Sequence, residues 1–139
     1  MNRFNVRVYG LWISQGAVLV CEEYIRGAQV LKFPGGGLEL GEGTLDCLHR
    51  EFREEMNLEI SVLGHYYTTD YFQPSAFDDS QVLSIYYAVE PRNEVHLPLR
   101  NEAGHFFMLP LADLLQSLSL PIDKKVAALL CQQYLPGSF

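Results

Sequence analysis

Gly35-Gly36-Gly37-Leu38-Glu39-Leu40-Gly41-Glu42-Gly43-Thr44-Leu45-Asp46-Cys47-Leu48-His49-Arg50-Glu51-Phe52-Arg53-Glu54-Glu55-Met56-Asn57-Leu58 is a glycine-rich loop running into a carboxylate-dense helix, and the rest of the chain is organised around it. At about 100° per residue, Leu45, Leu48, Phe52 and Met56 share one arc, the apolar stripe of an amphipathic helix turned to a core. Glu51, Glu54 and Glu55 fall on a neighbouring arc. Residues three and four apart on a helix are surface neighbours, and like charges so placed repel by roughly a few tenths of a kcal/mol per pair. Arg50 and Arg53 lie on a different arc and flank the cluster without neutralising it, so a divalent cation has a place there. Hard oxygen ligands suit Mg²⁺ or Mn²⁺, and Mg²⁺ usually takes one or two carboxylates with waters and substrate phosphates. A merely solvated acidic face is the common fate of a Glu-rich helix, but it leaves the loop unexplained. Three glycines after Pro34, then Gly41 and Gly43, describe a backbone that bends sharply or passes close to another group.

Gly36, five residues, Glu42, seven residues, then Arg50-Glu51-Phe52-Arg53-Glu54-Glu55-Met56-Asn57-Leu58 resembles the Nudix (MutT-like) box, Gly-x5-Glu-x7-Arg-Glu-U-x-Glu-Glu-x-Gly-U with U a bulky apolar residue. Every fixed position matches except Asn57, which stands where the family has Gly. That position is the left-handed residue ending the helix, and Asn tolerates it next best after Gly, at a modest cost in stability. The resemblance implies an α+β fold, an α/β/α sandwich with a mixed β-sheet flanked by helices. It also implies Mg²⁺-dependent hydrolysis of a pyrophosphate bond in a nucleoside diphosphate linked to another group X, with Mn²⁺ as a substitute. On that basis Glu51, Glu54 and Glu55 hold metal, together with a backbone carbonyl near Gly36 or Gly37. Glu42 is a more peripheral acid of the box, and Arg50 orients the neighbouring glutamates, a task suited to its rigid fork of donors. Family members differ in the general base. Glu102, in a loop before an aromatic strand, is the first choice here, with Glu51 or Glu54 second and Glu94, Asp78 and Asp79 as fallbacks.

The bulk properties agree with an ordinary globular protein. The chain of 139 residues is 48% hydrophobic and 19% charged, which excludes disordered and fibrous readings and suits a single domain over residues 1–139. Its net charge of −7 argues against a nucleic-acid surface, since polyanion affinity depends on Lys and Arg contacts, but not against a small phosphorylated substrate that meets a local metal. Cys21, Cys47 and Cys131 share no metal-ligand spacing and read as reduced core thiols. The N-terminus lacks an apolar signal core, and no apolar run approaches the roughly 18 residues of a membrane span. The expectation is a cytoplasmic protein with no membrane partner; a homodimer stays open, as many relatives form one.

Val6–Ile13 and Ala17–Glu22 read as strands of a hairpin through Ser14-Gln15-Gly16, Tyr24–Ala28 as a polar turn, and Val30–Phe33 as a short strand leading to Pro34. Arg26 and Lys32 are the basic residues nearest the loop, either phosphate contacts or ordinary surface charge. Gly43 or Thr44 is the expected N-cap, with Asp46 in the first turn. Glu59–Phe72 holds one or two strands; Tyr71 and Phe72 are candidates to stack on a nucleobase, although aromatic residues in strands more often serve the core. Gln73–Ser80 reads as a polar, substrate-selecting loop, Val82–Val89 as a strand, His105 as a surface histidine or substrate contact, and Leu111–Leu118 and Ile122–Leu135 as helices. No motif outside the box chooses among ADP-ribose, oxidised nucleoside triphosphates, dinucleoside polyphosphates, NADH and nucleotide sugars. The alternative reading is a non-catalytic Nudix-fold nucleotide-binding or sensor module, against which the complete glutamate set speaks.

Overall fold

In the computed structural model, which describes residues 1–135, the chain runs β1 (Phe4–Leu11), β2 (Ile13–Ser14), β3 (Ala17–Ile25), β4 (Ala28–Lys32), β5 (Gly35–Gly37), α1 (Thr44–Met56), β6 (Ile60–Thr68), β7 (Gln81–Pro91), β8 (Leu99–Asn101), β9 (Gly104–Pro110), α2 (Leu111–Ser117) and α3 (Pro121–Tyr134). The last four residues of the expected single domain lie outside the described residues. Two compact units form: Met1–Trp12 with Pro34–His96, and Ile13–Phe33 with Leu97 onward.

The first unit contains a mixed sheet in the order β5-β1-β7-β6, with α1 packed on it. β1 and β7 are parallel, with Val8 opposite Ile85, whereas β5 joins β1 antiparallel and β6 joins β7 antiparallel. Cys47, Leu48, Phe52 and Met56 form the buried face of α1. The Phe52 ring lies so close to Gly10 that a Cβ there would meet it at 2.6 Å, which is how the helix seats directly on β1. Leu45, expected on that stripe, is instead 45% exposed. It sits in the first turn, on the side turned to solvent, and the small thiol of Cys47 takes the buried place.

At the other end, Asn57 adopts φ 52° and ψ 41°, the left-handed conformation expected of it. Its amide donates to Arg53 O at 2.9 Å and that of Leu58 to Phe52 O at 3.2 Å, so the last turn closes with its carbonyls satisfied. Because Gly takes this conformation without steric cost, Asn57→Gly is expected to leave stability unchanged or raise it slightly, within about 1 kcal/mol. Thermal denaturation checks this, and a clear fall in melting temperature would show that the Asn side chain itself makes a necessary bond.

The second unit is an antiparallel sheet in the order β2-β3-β9-β8, with β4 also paired to β3, and it carries α2 and α3. Phe106, Leu111, Leu114, Val126, Ala127 and Leu130 are fully buried in it. Pro121 occupies the first turn of α3, where its missing amide hydrogen costs nothing, whereas Pro110 is the N-cap of α2.

Two local readings change. Only Ile13 and Ser14 pair with β3; residues 4–11 enter the other sheet, drawn there by the non-local pairing with β7 that no neighbouring sequence announces. Tyr24–Ala28 is no polar turn but the tip of a hairpin, with Ile25 opposite Ala28 and only Arg26 (φ 50°) and Gly27 (φ 81°) outside the strands. Glu59–Phe72 holds one strand, ending at Thr68, so Tyr71 and Phe72 lie beyond it. No helix among the described residues is long and apolar enough to cross a membrane.

Candidate active site

The glycine loop and α1 meet within the first unit. Glu39 and Glu42 close a turn in which the Glu42 amide donates to Glu39 O at 3.3 Å and the Glu39 amide donates to Glu42 Oε1 at 2.9 Å. Gly43 caps the helix, its amide donating to Asp46 Oδ2 at 2.8 Å, and the hydroxyls of Thr44 and Tyr87 lie 2.7 Å apart, tying the first turn to β7. The Gly43 bond satisfies a donor that a helix start leaves without an intrahelical partner.

One turn further on, the Arg50 guanidinium becomes the hub. Its Nε and Nη2 donate to Glu42 Oε2 at 3.0 Å and Oε1 at 2.7 Å, a bidentate pair. Its Nη1 donates to Glu51 Oε1 at 2.9 Å and Glu54 Oε2 at 3.2 Å, and Nη2 also donates to Gly37 O at 3.0 Å. Glu39 Oε1 lies 3.7 Å away. Arg50 therefore does not stand aside from the carboxylates on its own arc, as helical spacing alone suggests. Its long side chain reaches across to acids before and after it. The Cys47 thiol, beneath the loop, lies 3.5 Å from Gly37 O and 3.7 Å from Arg50 Nη2.

Gly36 explains why the loop must be glycine where it meets the helix. A Cβ there would lie 2.4 Å from Glu51 Cδ and Oε1, so the carboxylate rests directly on the glycine backbone. Glu51 is largely shielded, with its side chain 13% exposed, whereas Glu54 is 61% exposed and Glu55 is half-buried. The oxygen donors gathered here, from Glu51, Glu54 and the Gly37 carbonyl, fit a hard divalent cation by type. Among the described residues, no three acidic, His or Cys side chains converge into a ready cage, because Glu51 and Glu54 both turn toward Arg50. For a cation to be held there, exposed Glu54 and the guanidinium would have to turn apart.

The electrostatics follow the hub. Hydrogen bonds from Arg50, then the turn bond at Glu39, hold the Glu42 carboxyl down to about 2 from an ordinary 4.5. The bond to Glu42 in turn raises Arg50 above its ordinary value. Burial, and then the negative charge of Glu42, pushes the Cys47 thiol up to about 12, so it stays a neutral thiol. Because the folded state holds Glu42 ionised at a pH where the unfolded chain protonates it, the stability this group contributes is complete above pH 4.5 and is lost as pH falls to about 2. Melting curves of wild type and Glu42→Gln are expected to differ at neutral pH and to approach one another across that window. A gap that stays constant down to pH 2 would remove Arg50 as the cause.

The remaining candidates lie on other elements. Tyr71 (36% exposed) and Phe72 (62% exposed) follow β6 in the first unit with open rings. Asp78 pairs with Arg3 at 2.6 Å and Asp79 with the Met1 amine at 2.8 Å, so the loop from Gln73 to Ser80 is fastened to the start of the chain. Glu94 and His96 are exposed and 3.9 Å apart. In the second unit, Arg26 is exposed at its hairpin tip. Lys32 is 2% exposed, with Nζ 3.4 Å from half-buried Glu23. Glu102 is exposed on the tight turn between β8 and β9, and His105 lies on β9 with its ring 4.8 Å from Phe107.

The chain's relatives accord with this geometry. A family model described as the NUDIX domain matches residues 1–130. The U8 snoRNA-decapping enzyme of Homalodisca vitripennis is 37% identical over 59 residues, a match that takes in 42% of this chain and only 30% of that protein's length. Among solved structures, the E. coli ORF135 protein superposes with a TM-score of 0.77 at 16% identity, covering 99% of this chain and 96% of that one. The MutT NUDIX hydrolase from Burkholderia pseudomallei superposes with a TM-score of 0.75 at 16% identity, covering 91% and 98%. The mixed sheet with flanking helices expected from the sequence is thus the fold of these structures, and the chain belongs to the Nudix hydrolase family.

Proposed function

We propose that the protein hydrolyses a pyrophosphate bond in a nucleoside diphosphate linked to another group, with Mg²⁺ as its cofactor. The observation that carries this reading is the convergence of Glu42, Glu51, Glu54 and the Gly37 carbonyl on Arg50, with Glu51 seated against Gly36. Glu51, Glu54 and Glu55 are the side chains that would hold the cation, with a carbonyl of the Gly36–Gly37 loop. When bound, such a cation would neutralise charge developing on phosphate oxygens and make a water easier for a carboxylate base to deprotonate. Arg50 keeps Glu51 and Glu54 aimed from one side, and its bidentate grip on Glu42 fixes the guanidinium that does so. The general base is Glu102, or else Glu51 or Glu54. The decapping activity named for the insect relative belongs to a protein matched over less than a third of its length, and the net charge of −7 favours a small nucleotide over capped RNA.

The test is release of phosphate and nucleotide from ADP-ribose, nucleotide sugars, dinucleoside polyphosphates, NADH and oxidised nucleoside triphosphates, with and without Mg²⁺ or Mn²⁺. The expected outcome is metal-dependent turnover of at least one compound. Silence across the panel, with thermal stabilisation by metal and a nucleotide, would assign the chain to the binding modules of the family instead.

A further inference from the structure

The β1–β5 pairing sets Val8 opposite Gly36 and Arg7 opposite Gly37, and side chains alternate along a strand. Gly36 meets Glu51 on the side of the sheet that carries α1, so Arg7 projects on the other side, directly over Gly37. There its Nη1 lies 3.5 Å from where a Gly37 Cβ would stand. The guanidinium is not loose. Its Nε donates to Tyr9 Oη at 2.8 Å, and its Cζ lies 5.8 Å from the centre of the Tyr9 ring. Tyr9 is itself 4% exposed and stacked on Tyr86 at 5.2 Å, so the partner that holds Arg7 is locked into the sheet. Arg7 remains only half-buried.

A planar cation held by a rigid phenol beside the same glycine strand whose other side touches Glu51 is a pre-organised phosphate contact, because its fork of donors matches a phosphate's paired oxygens. We propose that Arg7 binds the substrate's diphosphate across Gly37 from the carboxylate cluster, as a binding and positioning residue that takes no part in proton transfer. The inference rests on the reading of this chain as a pyrophosphohydrolase and adds a residue to it.

The test is calorimetric titration of wild type, Arg7→Gln, Arg7→Lys and Tyr9→Phe with the α,β-methylene analogues of ADP, GDP and UDP in Mg²⁺, beside melting curves and steady-state kinetics on whichever compound the wild type hydrolyses. Loss of a charged hydrogen-bond partner is expected to weaken the best-bound analogue about tenfold or more in Arg7→Gln and to raise KM similarly with kcat nearly unchanged. Arg7→Lys, which keeps the charge without the fork, is expected to fall between, and Tyr9→Phe to show a smaller loss in the same direction. Wild-type affinity in Arg7→Gln overturns the proposal. Should that variant not fold, wild-type affinity in Arg7→Lys together with Tyr9→Phe overturns it equally. A wild type that binds an analogue through Arg7 but hydrolyses nothing would sink the enzymatic reading while leaving the contact standing. A wild type that binds none of the three analogues overturns the contact.

Discussion

Glu55→Gln is expected to lower kcat on the order of 10³-fold while leaving the melting temperature within a few degrees of wild type. The substitution keeps the side chain's volume and removes one negative charge from a helix face that already carries Glu51 and Glu54. Two neighbouring carboxylates on a helix repel, so folding gains little from the third charge, and the amide is tolerated at a half-buried position. A divalent cation loses far more. It exchanges an anionic oxygen for a neutral one, which weakens both its retention and its hold on phosphate oxygens. The measurement is kcat and KM over a range of Mg²⁺ concentrations, beside thermal denaturation. Full activity in the variant would remove Glu55 from the metal set. A collapse of stability with activity intact in the surviving folded fraction would make Glu55 a structural residue, held by the part of it that is shielded from solvent.

Gly35→Ala is expected to destabilise the fold by about 3 kcal/mol, equivalent to a fall of roughly 10 °C in melting temperature for a chain this size. The reason is chiefly backbone crowding, to which the Tyr9 ring, its Cδ1 2.8 Å from a Cβ placed at Gly35, adds. Gly35 adopts φ +151°, and a Cβ there would stand 2.1 Å from the carbonyl oxygen of Val8 and 2.8 Å from Tyr9 Cα. Neither atom can rotate away, since both belong to β1, which is paired on its other side with β7. The strain is relieved by unpairing β5, which carries Gly36 and Gly37 out of register with Val8 and Arg7. Activity is therefore expected to fall together with stability, and activity should recover less than stability when a compensating mutation elsewhere restores the melting temperature. By contrast, a Gly35→Ala protein that melts like wild type would show that β5 can shift without loss, and the close approach would then have no energetic weight.

The legible part of this protein was local. Helical spacing over residues 44–56, the cap chemistry at Gly43 and Asp46, and the left-handed stop at Asn57 all depend on neighbours within one or two turns, so they could be read without knowing what lies across the sheet. The same holds for the box itself, whose spacing places Glu42, Arg50, Glu51 and Glu54 on a loop and one helix, within reach of one another. Two things read less well even there. Arg50 was set apart from the acids by its position on the helical wheel, yet a side chain that long is free to bridge arcs. Leu45 fitted the apolar period, yet burial depends on where the sheet begins to cover the helix.

What only the tertiary structure decided is which distant strands pair. Residues 4–11 look like half of a local hairpin, but parallel pairing with β7, more than seventy residues away in sequence, places them between β5 and β7 instead. That register sets Arg7 against Gly37 and Val8 against Gly36, and so determines which basic residue stands beside the glycine loop. Arg26 and Lys32 are nearer in sequence, but one lies at a hairpin tip and the other is 2% exposed beside half-buried Glu23. Sequence periodicity records which face of an element is apolar, a property of each segment alone. Strand partners follow from the summed hydrogen bonding and burial of the whole sheet, a property that belongs to no segment.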